Sequence, residues 1–319
     1  MTYWLSIATR IKEREGSLRH LADACTIQID TTNQCINRCS NCHHLCGHHE
    51  KPYFMTMDQF RRAADSLEGY PAIGKGIVGV IGGEPLLHND FAEQCEYLRS
   101  MFPPEELGLW SCFPKGKEHY REDIVSTFGN IFINSHERND ILHCPTLVAS
   151  GEVRGLEDWH RDYIVDKCWL QESWSPSIVG DRAYFCETAG CLGLLLGIDG
   201  GWAVEPGWWK RATKEFTDDI NKHCHFCGVA MPLMKRISTE GIDDISPAMF
   251  ERLKDTSPKI KAGKYQIHDL IPCNDNRQMA TYKDVDYRNG IAKRYGMFLS
   301  QNDKKYLTPH LFKKWEKGE

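Results

Sequence analysis

Cys25-Thr26-Ile27-Gln28-Ile29-Asp30-Thr31-Thr32-Asn33-Gln34-Cys35-Ile36-Asn37-Arg38-Cys39-Ser40-Asn41-Cys42 is the stretch whose reading decides the fold. Cys25 to Asp30 reads as a strand, and the polar run Thr31-Thr32-Asn33-Gln34 as the loop that leaves it. The spacing C-x3-C-x2-C follows at once. Three thiolates this close in sequence can converge on one face of a metal centre.

A tetrahedral structural zinc needs a fourth protein ligand, for which Cys46, His43, His44, His48 or His49 are at hand; an iron-sulfur cubane accepts three thiolates and leaves one iron open. The plainer alternatives are unrelated buried thiols and a solvated histidine loop. Further on, Gly76-Ile77-Val78-Gly79-Val80-Ile81 is an apolar run that closes on Gly82-Gly83-Glu84-Pro85. The two motifs together resemble the radical SAM superfamily over roughly residues 24 to 150. That resemblance implies a 4Fe-4S cluster on Cys35, Cys39 and Cys42 whose open iron chelates S-adenosylmethionine. It also implies that Gly82, Gly83, Glu84 and Pro85 hold the methionyl amino group. Asn41 departs from the family pattern, which places an aromatic residue immediately before the third cysteine.

Working outward, strand and helix signals alternate. Thr56-Met57-Asp58-Gln59 reads as a capping box opening a helix to about Leu67. Asn89 or Asp90 caps the next helix, with Phe91, Cys95, Tyr97 and Leu98 on it. Leu107 to Phe113, Ile131 to Asn134 and Thr146 to Ala149 read as further strands. Parallel strands joined by helices put ligands at the strands' carboxyl ends, where Glu84, Cys112, Ser135 and Ser150 fall. The expected class is α/β, and the resemblance implies a partial (β/α)6 barrel with Asn134 or Ser135 near the ribose. Expected boundaries are a lead-in over 1–24, helix-like through Leu5, Ala8 and Ile11, the barrel core over 25–158, an auxiliary region over 159–235 and an extension over 236–319.

In the second half tryptophans concentrate at Trp159, Trp169, Trp174, Trp202, Trp208 and Trp209, as core packing or as the floor of a pocket. Cys168, Gly180, Cys186 and the pair Cys224-x2-Cys227 resemble the Twitch and SPASM extensions of radical SAM proteins. The resemblance implies an auxiliary 4Fe-4S cluster on Cys168, Cys186, Cys224 and Cys227; a four-thiolate zinc site fits the same spacing. Cys191 is a spare that can replace Cys168. Ser246-Pro247 starts a further helix.

Net charge is -5, with no long basic stripe, which removes support for bulk capture of nucleic acid. Lys304, Lys305, Lys313, Lys314 and Lys317 are interleaved with acidic and apolar residues and read as a solubilising tail. No apolar stretch nears membrane-spanning length and no secretion signal opens the chain, so a cytoplasmic location is expected. There, 14 cysteines point to metal or redox chemistry and not to disulfides.

The resemblance implies an enzyme that cleaves S-adenosylmethionine with an electron from an external donor. The resulting radical would take hydrogen from a small polar substrate such as a sugar, aminocyclitol or nucleotide-sugar, giving oxidation or epimerisation. Cys112, Cys144 and Cys191 are the candidate hydrogen-donor thiols, with Glu205-Pro206-Gly207-Trp208 suited to a polyol. Peptide modification is the alternative substrate class. A reading of another kind is a zinc-stabilised, non-enzymatic binding module.

Overall fold

A computed structural model describes residues 21–24, 26–71, 76–134, 141–153, 156–166, 168, 170, 175–212, 215–231, 233, 235–268 and 270. The expectations for Leu5 to Ile11, Ser135, Trp169, Trp174 and the lysine-rich tail lie outside them. In chain order the first strands are β1 (Thr26–Asp30), β2 (Ile77–Ile81), β3 (Leu107–Ser111), β4 (Asn130–Ile133) and β5 (Leu142–His143). They are followed by β6 (Ser177–Val179), β7 (Arg182–Tyr184), β8 (Trp202–Ala203), β9 (Arg236–Ile237), β10 (Asp243–Ile245) and β11 (Tyr265–Ile267).

One sheet has the order β4-β3-β2-β1-β6-β7-β8, parallel from β4 through β6 and antiparallel at β7 and β8. The α/β class is therefore present as a mixed sheet with helices. β1 (Thr-Ile-Gln-Ile-Asp) lies between β2 and β6, and all its residues are buried, as befits a strand with neighbours on both edges. This sheet is open, with β4 and β8 at its edges.

The expected strand over Thr146 to Ala149 is not one. β5 sits earlier, pairing antiparallel with β9 outside the main sheet. Leu147 keeps a single bridge to Ile245.

Helix α1 (Met57–Ser66) begins at the expected capping box: Thr56 Oγ1 accepts from Gln59 N at 3.2 Å, and Gln59 Oε1 accepts from Thr56 N at 2.9 Å. Asp90 precedes α2 (Phe91–Met101) but makes no side-chain cap; burial of Phe91, Cys95 and Leu98 holds that helix to the core. After α3 (Arg121–Thr127) and α4 (Asp158–Asp166) comes α5 (Glu187–Leu196), which lies against β6 and β7.

Trp208 and Trp209 are core, each 1% exposed, and both indole N–H groups donate to Ser66. Helix α6 (Thr217–Cys224) leads to the Cys224–Cys227 turn, and α7 (Pro247–Leu253) starts with Ser246 accepting from Met249 N. No helix among the described residues is long and apolar enough to cross a membrane.

Candidate metal centre

Asp30 closes the buried strand β1 at its carboxyl end and is 5% exposed. A buried carboxylate there needs a partner, and two converge on it. His44 Nδ1 lies 2.9 Å from Asp30 Oδ2. Cys191 Sγ lies 3.6 Å from the same oxygen and 3.6 Å from His44 Nδ1. The three ligand atoms all fall within 4.8 Å of one another.

Zinc bonds of about 2.3 Å to sulfur and about 2.0 Å to nitrogen or oxygen, at tetrahedral angles, put sulfur about 3.5 Å from either partner and nitrogen about 3.3 Å from oxygen. The observed sulfur distances match. The shorter nitrogen-oxygen distance is that of a hydrogen bond which an ion would replace.

The electrostatics suit a cation. Burial alone would push the His44 pKa down, but the Cys191 sulfur and the Asp30 carboxylate outweigh it and raise it well above its ordinary value. Burial, then the Asp30 charge, pushes the Cys191 thiol up to about 12. His44 keeps its proton because of the anionic groups beside it and Cys191 because of burial and the Asp30 charge, and an ion bound here would displace both protons.

Two features of the chain set this geometry. The loop that carries His44 is pinned from the carboxy-terminal side. Asn41 sits at a left-handed φ of 49°, donates through Nδ2 to Asp244 Oδ2 at 2.7 Å and accepts through Oδ1 from Asp244 N at 2.8 Å. His48 spans Asp243 and Ser257 at 2.7 Å each, and Lys259 Nζ donates to Cys39 O. The histidines at 44 and 48 are thus not a solvated loop. On the other side, Gly190 lets α5 approach the sheet: a Cβ there would come 2.6 Å from Val179 Cγ2. Cys191 is carried in beside the end of β1.

An adjoining cavity of about 290 Å³ is lined by His44 together with Cys35, Cys39, Cys42, Glu84 and Cys112, and by Gly82, Gly83 and Asn134 among others. Burial, then the neighbouring Cys42 and Cys35, raises the Cys39 pKa. The hydrogen bond from Cys46 is the first cause that holds Cys42 low. Cys112 is raised by its hydrogen bond to Cys35 and by burial.

Gly82 and Gly83 are required by the close pass of the loop after β1. A Cβ on Gly83 would sit 2.2 Å from Gln34 O, and Gly83 N donates to Thr32 O at 2.6 Å. Glu84 is 1% exposed and accepts from Leu86 N, Ser111 Oγ, Cys112 N and Cys112 Sγ. Pro85 opens the short turn that follows.

Elsewhere, Cys168 and Cys186 are buried; burial first, with Glu187 and Cys168, pushes the Cys186 thiol up, and burial first, then Cys168, does the same for Cys227. Cys144 is buried and also acts on Cys227. Cys224 offers its carbonyl to Ser150 Oγ at 2.7 Å.

No protein-family model matches this chain, and neither does any curated protein.

These observations correct the radical SAM reading. The compact ligand set is one Asp, one His and one Cys, fit for a single ion, whereas the thiols of Cys35, Cys39 and Cys42 do not form such a group. The three-thiolate 4Fe-4S cluster, the S-adenosylmethionine on its open iron, the auxiliary 4Fe-4S cluster and the radical enzyme built on them are withdrawn. With them goes hydrogen donation by Cys191, whose sulfur belongs to the ligand set. The metal reading that placed zinc on the clustered cysteines also changes, since the thiol in the set is the one counted as spare.

The local feature that marks this site is Asp30, a carboxylate at the end of the wholly buried strand Thr26–Asp30, which the sequence motifs do not single out. Its partner Cys191 lies 161 residues away on a helix, beyond the reach of any spacing rule.

Proposed function

We propose that this chain is a zinc-stabilised binding module in which Asp30, His44 and Cys191 hold one mononuclear ion. The observation that carries the reading is the pair of 3.6 Å separations from Cys191 Sγ to Asp30 Oδ2 and His44 Nδ1, the spacing a tetrahedral zinc sets between a thiolate and lighter donors. Two anionic ligands balance a dication in a buried place, which lowers the cost of taking it out of water. The ion ties the end of β1, the cysteine loop and α5 to one point. In the chain-entropy picture a cross-link closing a loop of 161 residues contributes at most roughly 5 kcal/mol.

The binding role belongs to the cavity beside the ion, of about 290 Å³, a size that suits a small molecule. Its aromatic wall is Trp110 stacked on Phe132, with centroids 4.1 Å apart and planes within 6°. Glu84 and the thiols of Cys35, Cys39 and Cys42 supply polar contacts. We propose a small polar molecule with one flat face as the occupant.

The test is thermal unfolding of the zinc-loaded protein before and after chelation. A drop of about 10 °C is expected for a 5 kcal/mol tie in a chain of this size. Cys191→Ser should melt at the chelated temperature whether or not zinc is added. Equal melting of loaded and chelated wild type would overturn the reading.

A further inference from the structure

A second cavity, of about 10 Å³, touches all three ligands of the proposed zinc site. It is lined by Asp30, His44 and Cys191 on one side and by Asn33, His49, Tyr53, Val179 and Leu194 on the other. The volume is that of about one water-sized sphere. Such a space can take an ion but no organic ligand, so the question is which group closes its far side.

Of the residues there, Val179 and Leu194 carry no donor atom. The Asn33 amide is committed: Oδ1 accepts from Tyr53 N at 2.9 Å and from Gln34 Nε2 at 2.6 Å, while Nδ2 donates to Lys51 O at 3.3 Å. The Tyr53 phenol is held protonated by burial and by the Asp30 charge. Tyr53 Oη and His49 Nε2 are both buried without a hydrogen bond, and of the two the imidazole nitrogen is the ordinary zinc ligand, whereas a phenol would first have to lose its proton. A buried imidazole nitrogen without a partner carries a standing cost that ligation would remove.

We infer that His49 is the fourth ligand of the zinc site, closing an Asp-His-His-Cys tetrahedron around the small cavity through its Nε2. This rests on the three-ligand reading above and adds to it a class of site: one with no open coordination position, hence structural and not hydrolytic. His44 and His49 then grip the ion from one turn of loop. The set has two anionic and two neutral ligands, so the loaded site is electrically neutral. Moving Nε2 into reach of the ion asks for a turn of the His49 side chain, since its nitrogen is outside the compact group of three.

The experiment uses cobalt(II) as a spectroscopic stand-in for zinc, added to the full-length metal-free protein. The Cys191→Ser spectrum is subtracted to isolate the ion at this site. Wild type should give intense visible bands of four-coordinate cobalt with a thiolate charge-transfer band. His49→Ala should keep the charge-transfer band, lose most of the visible intensity as waters raise the coordination number, and bind zinc at least about tenfold more weakly. Added imidazole should restore the four-coordinate bands to His49→Ala and leave wild type unchanged, which also shows that the variant is folded. Unchanged bands and affinity in His49→Ala would overturn the inference while leaving the three-ligand site standing. A wild type indistinguishable from Cys191→Ser would instead overturn the site itself.

Discussion

Gly190→Ala should destabilise this protein and weaken its hold on zinc, although in an exposed helix the same change is expected to stabilise by about 1 kcal/mol. The opposite sign follows from the contact geometry. An alanine Cβ at this position would meet Val179 Cγ2 at 2.6 Å and both Ser177 Oγ and Tyr184 Cδ2 at 3.0 Å, where ordinary contact begins at 3.4 Å. Helix α5 must therefore lift from β6 and β7 by about 0.8 Å, at a cost of about 1–3 kcal/mol. Propensity offsets no more than about a third to all of that, so the net effect on folding spans about 0 to 2 kcal/mol of destabilisation.

The metal provides the sharper readout. Cys191 is the next residue, and a ligand tolerates about 0.2 Å of error in its bond to zinc. A lift of 0.8 Å moves the sulfur out of range, and zinc affinity should fall at least about tenfold. Denaturant unfolding gives the first quantity and competition with a calibrated chelator the second. Gly193→Ala is the control, because its Cβ would meet nothing closer than Tyr184 Oη at 3.1 Å, near the end of a side chain that can shift. A Gly190→Ala protein more stable than wild type, with unchanged zinc affinity, would refute the claim that this close approach places Cys191.

Burial alone would push the Asp243 carboxyl up, but the hydrogen bond from His48 and the Lys259 ammonium at 2.8 Å outweigh it and hold it below the usual range. A depressed carboxylate contributes stability above its unfolded value, about 3.9, and loses it as pH falls below that; Asp243→Asn should flatten the acid limb of a stability-against-pH curve, and an unaltered limb would contradict this. Asn41→Phe removes the amide that pairs with Asp244 on both faces and puts a β-carbon-heavy ring at φ 49°, so denaturant unfolding should report a loss of about 2–4 kcal/mol. Glu84→Gln replaces an all-acceptor carboxylate by an amide whose N–H2 must face donors. A loss of about 1–3 kcal/mol is expected by the same measurement, and no loss would mean that Glu84 is not the bracket between β2 and β3.

Much of the frame was legible in the sequence because its causes are local. The strand at Ile27, the apolar run at Val78, the Thr56–Gln59 capping box and the Ser246-Pro247 start each act within a few residues, and each matches the element its pattern demanded. The Thr146 to Ala149 stretch forms no strand: its one pairing is a single bridge from Leu147 to Ile245, nearly a hundred residues on, which no local pattern shows. The site was half visible. Asp30 lies in the stretch Cys25 to Cys42 and His44 two residues beyond it, but the C-x3-C-x2-C spacing is the stronger local signal there, and the third ligand, Cys191, is 161 residues from Asp30.

What hid His48 was that its partners Asp243 and Ser257 lie some two hundred residues on, and what hid His44 was that Cys191 is 147 residues away. Asn41 shows the same cause from the other side. It departs from the resembled motif because the backbone turns left-handed there and β10 takes both faces of its amide.

The most direct test of the account is the metal content of the purified protein, read together with X-ray absorption at the edge of whatever metal is found. The account predicts one zinc that disappears in Cys191→Ser, with a first shell of one sulfur at about 2.3 Å and the rest nitrogen or oxygen near 2.0 Å. Iron with inorganic sulfide, retained in Cys191→Ser and lost when Cys35, Cys39 and Cys42 are replaced, would contradict it.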